Sequence, residues 1–108
     1  MDFPMHDGWR TPNTYGENYA SLPDLPGVYL LVLIEYGETL RYVLQTVVYA
    51  GSSDNLRQRC KYHPVKYRML DDYPDGHCVC YFKVCDDYRV QEKRLIGQLQ
   101  PRYNKQWR

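Results

Sequence analysis

Apolar and polar positions follow one another along the chain in a way that predicts three strands. The longest apolar run, Val28–Ile34, is rich in β-forming residues and predicts a strand that is covered on both faces. The polar stretch 35–38 has the composition of a turn, and 42–50 predicts a strand that returns antiparallel to the first. In 78–84 apolar residues alternate with other residues, which predicts a third strand.

Two further segments have helical features. Residues 52–54 are typical N-cap residues, so 55–63 predicts a helix that Pro64 ends or kinks. A second helix is predicted after the acidic pair 86–87, and it runs through Leu99. The order β-β-α-β-α predicts an α+β fold, with a small, three-stranded, mainly antiparallel sheet flanked by helices.

The chain has 108 residues, which is enough for one domain, and 44% of them are hydrophobic. Residues 1–24 contain several prolines and glycines and predict an N-terminal arm with little regular structure, and 25–108 form the domain. The arm has aromatic residues that we expect to pack on the body of the domain. These are Phe3, Trp9, Tyr15 and Tyr19.

The charge and the cysteines limit the classes of function. A net charge of +1 excludes a generally basic nucleic-acid clamp, so any polyanion must meet a local patch. No apolar run is long enough to span a bilayer, and no leader is evident. These features predict a cytoplasmic protein with reduced thiols and no membrane partner. If a virus or mobile element encodes the protein, the predicted location is the host cytosol. With His63 and His77, the cysteines could instead bind zinc, although Cys78 and Cys80 lack the usual two-residue gap. The four cysteines are Cys60, Cys78, Cys80 and Cys85.

One carboxylate interrupts the apolar face of the second helix. Glu92 falls on the stripe that the helical period forms from Tyr88, Leu95, Ile96 and Leu99. A carboxylate directed at a core is costly unless it is paired, hydrogen-bonded or bound to a metal. An ion pair with an arginine, or a side chain that reaches the edge of the helix, is the structural alternative to a functional site.

The first predicted helix carries a matching pair of polar residues. Arg59 and His63 are one turn apart on one flank of that helix. Tyr29 and Tyr49 each lie where an apolar strand meets a glycine. If these residues and Glu92 converge at one end of the sheet, they combine a phenol for proton transfer, a guanidinium for phosphate oxygens and a carboxylate for a hard cation.

The ordered set of these residues resembles the GIY-YIG nuclease domain. Gly27-Val28-Tyr29 and Tyr49-Ala50-Gly51 are similar to its two signatures, and "SSDNLRQR" at 52–59 is similar to the segment that ends in its catalytic arginine. "QEKRLIGQLQPRYN" at 91–104 resembles the helix with the metal-binding glutamate and the asparagine that follows it. The likeness is greatest to the N-terminal nuclease domain found in the bacterial excinuclease of nucleotide-excision repair.

This resemblance implies a metal-dependent DNA endonuclease that hydrolyses phosphodiester bonds. Glu92 would hold Mg²⁺ or Mn²⁺, Arg59 would bind a phosphate oxygen, and Tyr29 would take a proton from the attacking water, directly or through a relay. Tyr49 and His63 would position water or phosphate, or share the proton relay, and Asn104 would orient the site. A catalytically inactive DNA-binding or protein-interaction module on the same fold is the alternative.

The implied partner is DNA, and cutting of both strands would favour a homodimer or sequential nicks. Cations that flank the proposed site in the sequence are expected to contact the DNA backbone, and binding should be salt-sensitive. These are Arg57, Lys61, Lys66, Arg68, Arg102 and Lys105.

Overall fold

A computed structural model describes residues 9, 13–14, 22–36, 43–61 and 63–105. Within this part of the chain the fold is α+β, with an antiparallel sheet in the strand order β1-β4-β2-β3. Three long strands make up most of the sheet, as predicted, and the two-residue β1 is added at one edge. The elements in chain order are β1 (Asn13–Thr14), β2 (Gly27–Tyr36), β3 (Val43–Ser53), α1 (Leu56–Lys61), α2 (Pro64–Asp72), β4 (His77–Val84), α3 (Tyr88–Leu99) and a 3₁₀ helix (Arg102–Asn104).

Strand β2 lies at the centre of the core, with helices over both faces of the sheet. Its residues from Gly27 to Ile34 are all buried, which confirms the prediction from the continuous apolar run. Alternate residues face opposite sides. The α1/α2 face comprises Leu22, Tyr29, Leu31, Leu33, Val48, Leu56, Cys60, Val65, Met69, Cys78, Cys80 and Tyr103. The α3 face comprises Val28, Leu30, Val32, Ile34, Val47, Ala50, Tyr81 and Leu95.

Strand β3 contains a bulge that determines the direction of its side chains. The register with β2 shifts at Val48, since Leu31 is opposite Tyr49 and Val32 is opposite Val47. Val48 and Tyr49 therefore both belong to the α1/α2 face. The bulge brings the second tyrosine to the same side of the sheet as the first.

The helices differ from the prediction around Pro64. The predicted helix 55–63 is wrong at its C-terminal end, because α1 ends at Lys61. His63 has extended backbone angles, and the residue before a proline avoids the helical region. Pro64 is the first residue of α2, a position that suits proline because its missing N–H would have no partner there. Helix α2 continues to Asp72, and a turn connects it to β4.

Helix α3 and the turn after it agree with the sequence pattern. Tyr88, Leu95, Ile96 and Leu99 pack on the α3 face, which confirms the predicted stripe. Gln100 then adopts left-handed backbone angles and its N–H caps the carbonyl of Ile96. The chain turns there, and the 3₁₀ helix follows along the outer edge of β3.

Part of the predicted arm packs on the domain. Asn13–Thr14 pair antiparallel with β4, and Trp9 packs against the α3 face. Leu22 is buried on the α1/α2 face, and its carbonyl accepts a hydrogen bond from Nε of Arg57 at 2.8 Å. Phe3, Tyr15, Tyr19 and residues 37–38 lie outside the described residues. The predicted turn at 35–38 is wrong for residues 35–36, which are the last two residues of β2. No helix in the described segments is long and apolar enough to cross a membrane.

Candidate active site

Tyr29 lies at the centre of the α1/α2 face with its ring across β3. The side chain is fully buried, and a Cβ placed on Gly51 would come within 2.5 Å of Cζ and Oη of this ring. A glycine at position 51 is therefore the residue that allows the tyrosine to lie there. The hydroxyl of Tyr29 is 2.7 Å from Nε2 of His63.

His63 is held in one tautomer by its position at the start of α2. It is the N-cap residue, and its Nδ1 accepts a hydrogen bond from the backbone N–H of Val65 at 3.2 Å. Burial, aided by the charge of Arg59, lowers the pKa of His63 from 6.5 to about 3, so the ring is neutral at physiological pH. Because Nδ1 accepts, the proton is on Nε2, and this group donates to the oxygen of Tyr29.

Tyr49 and Arg59 connect this buried pair with the surface. The ring of Tyr49 lies 6.2 Å from that of Tyr29 and 5.0 Å from that of His63, measured between centroids. Tyr49 is partly buried and Arg59 is largely exposed. Burial lowers the pKa of Arg59, but attraction and hydrogen bonding to the oxygens of the two tyrosines outweigh it and raise the pKa, so the guanidinium is always charged.

The environment keeps Tyr29 protonated in the protein alone. Burial raises its pKa well above 10, with contributions from Cys60 and Tyr49, while Arg59 lowers it by charge and hydrogen bonding. The effect of burial is the larger one. A role in taking a proton from water would therefore require additional positive charge near the phenol.

Glu92 is held on the other side of β3. Its Oε1 accepts a hydrogen bond from the hydroxyl of Ser52, and both side chains are half-buried. Ser52 is opposite Val28 in the register, so it points to the α3 face. The carboxylate and the two phenols thus approach the end of β3 from opposite faces, with Gly51 between them.

Asn104 binds the outer edge of the same strand. Its Oδ1 accepts from the N–H of Ala50 and its Nδ2 donates to the carbonyl of Ala50, both at 2.8 Å. The side chain is buried and acts like a short additional strand at this edge. Asn104 therefore fixes the backbone between Tyr49 and Gly51.

The four residues Tyr49–Ser52 are the common support of the whole constellation. Tyr49 contacts His63, Ala50 binds Asn104, Gly51 accommodates the ring of Tyr29, and Ser52 binds Glu92. Sequence reasoning did not identify Ser52, which it assigned to a helix N-cap. The signal that could have identified it is its spacing of two from Ala50, which places both residues on one face of a strand.

Several of the cations predicted to bind DNA have intramolecular partners. Arg57 pairs with Asp24 at 2.9 Å and Arg68 with Asp72 at 3.6 Å. Arg102 donates to the hydroxyl of Tyr73.

The other three cations lie on or near the surface. Lys66 is over the ring of Tyr67, with its Nζ 5.2 Å from the centroid, and Lys61 is exposed at the end of α1. Lys105 is exposed beside a cavity of about 280 Å³ that Ile96 and Asn104 also line.

The cysteines are divided between the two sides of the sheet. Cys60, Cys78 and Cys80 are on the α1/α2 face, whereas Cys85 packs against the α3 face. Burial raises the pKa of Cys78 to about 12, so its thiol is protonated. Among the described residues, which include all four cysteines, no three His, Cys, Asp or Glu side chains form a group that could hold a metal ion.

Comparison of the chain with protein-family models, with curated proteins and with solved structures finds no match in any of the three.

Proposed function

We propose that this protein is a metal-dependent DNA endonuclease with a GIY-YIG-type active site. The observation that carries the proposal is the convergence of all six candidate residues on the short segment Tyr49–Ser52. If each residue had only a structural role, nothing would require two phenols, a guanidinium, a carboxylate and a carboxamide to meet at the same short segment.

The carboxylate of Glu92 has the chemistry of a site for Mg²⁺ or Mn²⁺. Mg²⁺ keeps several waters and binds proteins through one or two carboxylates, so Glu92 suits it better than it suits zinc. Zinc takes three or four protein ligands, and no group of three or more His, Cys, Asp or Glu side chains among the described residues could supply them. When bound, such a cation would stabilise the charge on the phosphate and on the leaving oxygen. Ser52 occupies only one oxygen of the carboxylate, and Oε2 could serve as a ligand.

Arg59 and Tyr49 are the residues of the cluster that can reach a phosphate. The exposed guanidinium of Arg59 would bind a non-bridging oxygen with two N–H groups as negative charge develops. Tyr49, which is partly buried, would orient the attacking water and pass its proton on towards Tyr29. The substrate phosphate would lie around the end of β3, which Arg59 and Tyr49 approach from one face and Glu92 from the other.

Tyr29 and His63 would act from behind this surface. Both side chains are fully buried, so Tyr29 could take a proton from the water only through a relay. Because its phenol is protonated in the protein alone, its own proton would first have to leave, so that Tyr29 acts as the phenolate. The donors His63 Nε2–H and Arg59 would stabilise negative charge on the Tyr29 oxygen during that transfer. Asn104 would keep Tyr49 and Gly51 in place through Ala50.

A non-catalytic DNA-binding or protein-interaction module is the second candidate. The burial of Tyr29 and the raised pKa of its phenol favour this function, because neither property suits a base that meets water directly. The two candidates make opposite predictions for the same assay.

Nicking of supercoiled plasmid in Mg²⁺ or Mn²⁺ separates them. We expect wild-type protein to cut, and Glu92→Gln, Arg59→Ala and Tyr49→Phe to lose about 100-fold or more in rate. The matched controls are Glu35→Gln, a carboxylate at the far end of β2, and Tyr81→Phe, a phenol on the α3 face that bonds Gln45. Equal cutting by all variants would remove the assigned roles, and DNA binding without cutting would establish the module.

A further inference from the structure

Ser52 makes the hydrogen bond that holds the carboxylate of Glu92. The serine hydroxyl donates to Oε1, across the junction between the end of β3 and the first half of α3. Ser52 is attached to a strand whose backbone is paired with β2 at this position, opposite Val28. The donor is therefore on a rigid element, while the acceptor is on a side chain with three rotatable bonds.

The geometry of this contact suits a metal ligand. A carboxylate has about four lone-pair positions on its two oxygens, and Ser52 uses one of them. The hydroxyl limits the rotation of Glu92 and leaves Oε2 unoccupied by that contact. Ligating carboxylates in metal sites are commonly hydrogen-bonded in this way, and the hydrogen bond orients them and tunes their affinity.

Other contacts already hold α3 on the sheet, which argues against a purely structural role for this bond. Leu95, Ile96 and Leu99 pack on the α3 face. Asn104, after the helix, binds Ala50 with two hydrogen bonds. A half-buried hydroxyl contributes little to that attachment, so its effect should be local to the carboxylate.

We infer that Ser52 is a positioning residue, which orients the Glu92 carboxylate for a hard divalent cation. The inference deepens the proposed function and rests on it. Ser52 does not bind the cation or the substrate itself. It fixes one oxygen of the ligand, so that the other is presented at the end of β3.

The test measures binding of Mn²⁺ to the full chain without DNA, by the loss of the electron paramagnetic resonance signal of the free ion. We expect Ser52→Ala to weaken Mn²⁺ binding about 10- to 100-fold. Ser52→Thr keeps the hydroxyl and should bind within about twofold of wild type, whereas Ser52→Val, which has the shape of threonine without the hydroxyl, should resemble Ser52→Ala. Ser53→Ala is the matched control, because the Ser53 hydroxyl bonds to Asn55 and not to Glu92.

A second measurement separates positioning from catalysis. The nicking rate as a function of Mg²⁺ should show a raised metal requirement for Ser52→Val, with most of the rate restored at saturating metal. If Ser52→Ala and Ser52→Val bind Mn²⁺ like wild type while Glu92→Gln loses binding, the inference about Ser52 is wrong and the proposed function is unaffected. If Glu92→Gln binds as well as wild type, Glu92 is no ligand, and both the inference and the proposed metal site are wrong.

Discussion

The tautomer of His63 is the residue-scale feature on which the buried part of the site depends. Nδ1 of His63 accepts the N–H of Val65 at the start of α2, and Nε2 contacts the hydroxyl of Tyr29. A second proton on the ring would be on Nδ1 and would break the hydrogen bond from Val65. Protonation would also place a second positive charge near Arg59 in a buried site. The same arrangement that directs a donor to the Tyr29 oxygen therefore makes the fold sensitive to acid.

We predict that His63 lowers the stability of the protein as the pH falls from about 6.5 towards 3. Its pKa is 6.5 in the unfolded chain and about 3 in the fold, so in this window the unfolded state binds a proton that the folded state does not. Wild type should lose about 3 kcal/mol of unfolding free energy from this group between about pH 7 and pH 4. Urea denaturation at several pH values measures this loss of unfolding free energy.

The matched variants are His63→Asn, which keeps an N-cap residue but cannot titrate, and His77→Asn, at an exposed histidine. His63→Asn should lack this acid-dependent loss, and His77→Asn should retain it. Parallel pH profiles for wild type and His63→Asn would show that the histidine is not held neutral.

At the scale of single elements, strand β3 has the most specific requirements. The ring of Tyr29 occupies the space where a side chain at position 51 would be. By contrast, a Cβ placed on Gly97, in α3, would have nothing within 4 Å. The same substitution should therefore have opposite effects in the two elements.

Gly51→Ala should destabilise the protein by about 2 kcal/mol, because Tyr29 or β3 must shift to make room. Gly97→Ala should stabilise it by about 0.5–1 kcal/mol, since alanine favours a helix interior. Chemical denaturation of the two variants checks the sign of each effect. A neutral Gly51→Ala variant would mean that the tyrosine does not lie across the strand.

The elements that the sequence predicts well are those with a strong periodic pattern. The residues of β2 and the stripe of α3 are apolar because they are buried, so the pattern of apolar residues predicts both elements directly. Helix α2 is different, because Pro64 can end one helix or begin the next, and the chain alone does not distinguish them.

The candidate site is predicted only in part, for the same physical reason. The sequence identifies four site residues by their type and order, namely Tyr29, Tyr49, Arg59 and Glu92. The bulge in β3 and the hydrogen bond from Ser52 to Glu92 depend on the register of the strands. Register is set by contacts between distant segments, which a single sequence does not reveal. The separation of Glu92 and the phenols by β3 could not be predicted for that reason.

At the scale of the whole molecule, the distribution of charge decides how DNA would be held. The net charge is only +1, and Arg57 and Arg68 are paired with carboxylates. Lys105 is exposed next to Asn104, and no hydrogen bond or ion pair joins its side chain to another of the described residues. Among the six predicted cations, it has the environment best suited to a phosphate.

We predict that Lys105→Gln lowers the salt dependence of DNA binding, with a slope of log K against log salt that is smaller by about 0.9. Fluorescence anisotropy with duplex DNA between about 50 and 200 mM salt measures it, in a Glu92→Gln background that prevents cutting. Arg57→Gln should leave the slope unchanged and reduce stability by about 1 kcal/mol, because Arg57 holds Leu22 and Asp24. If Arg57→Gln lowers the slope and Lys105→Gln leaves it unchanged, the DNA contact lies on α1.

The two hydrogen bonds from Asn104 also have a consequence for assembly. An unpaired strand edge is a template on which another chain can add a strand, and such additions lead to aggregates. Here the carboxamide occupies the outward N–H and carbonyl of Ala50, in the middle of the segment that supports the site. Two copies that cooperate on opposite strands of a duplex would therefore have to associate through other surfaces, and the sheet would not extend from one copy to the next at this position.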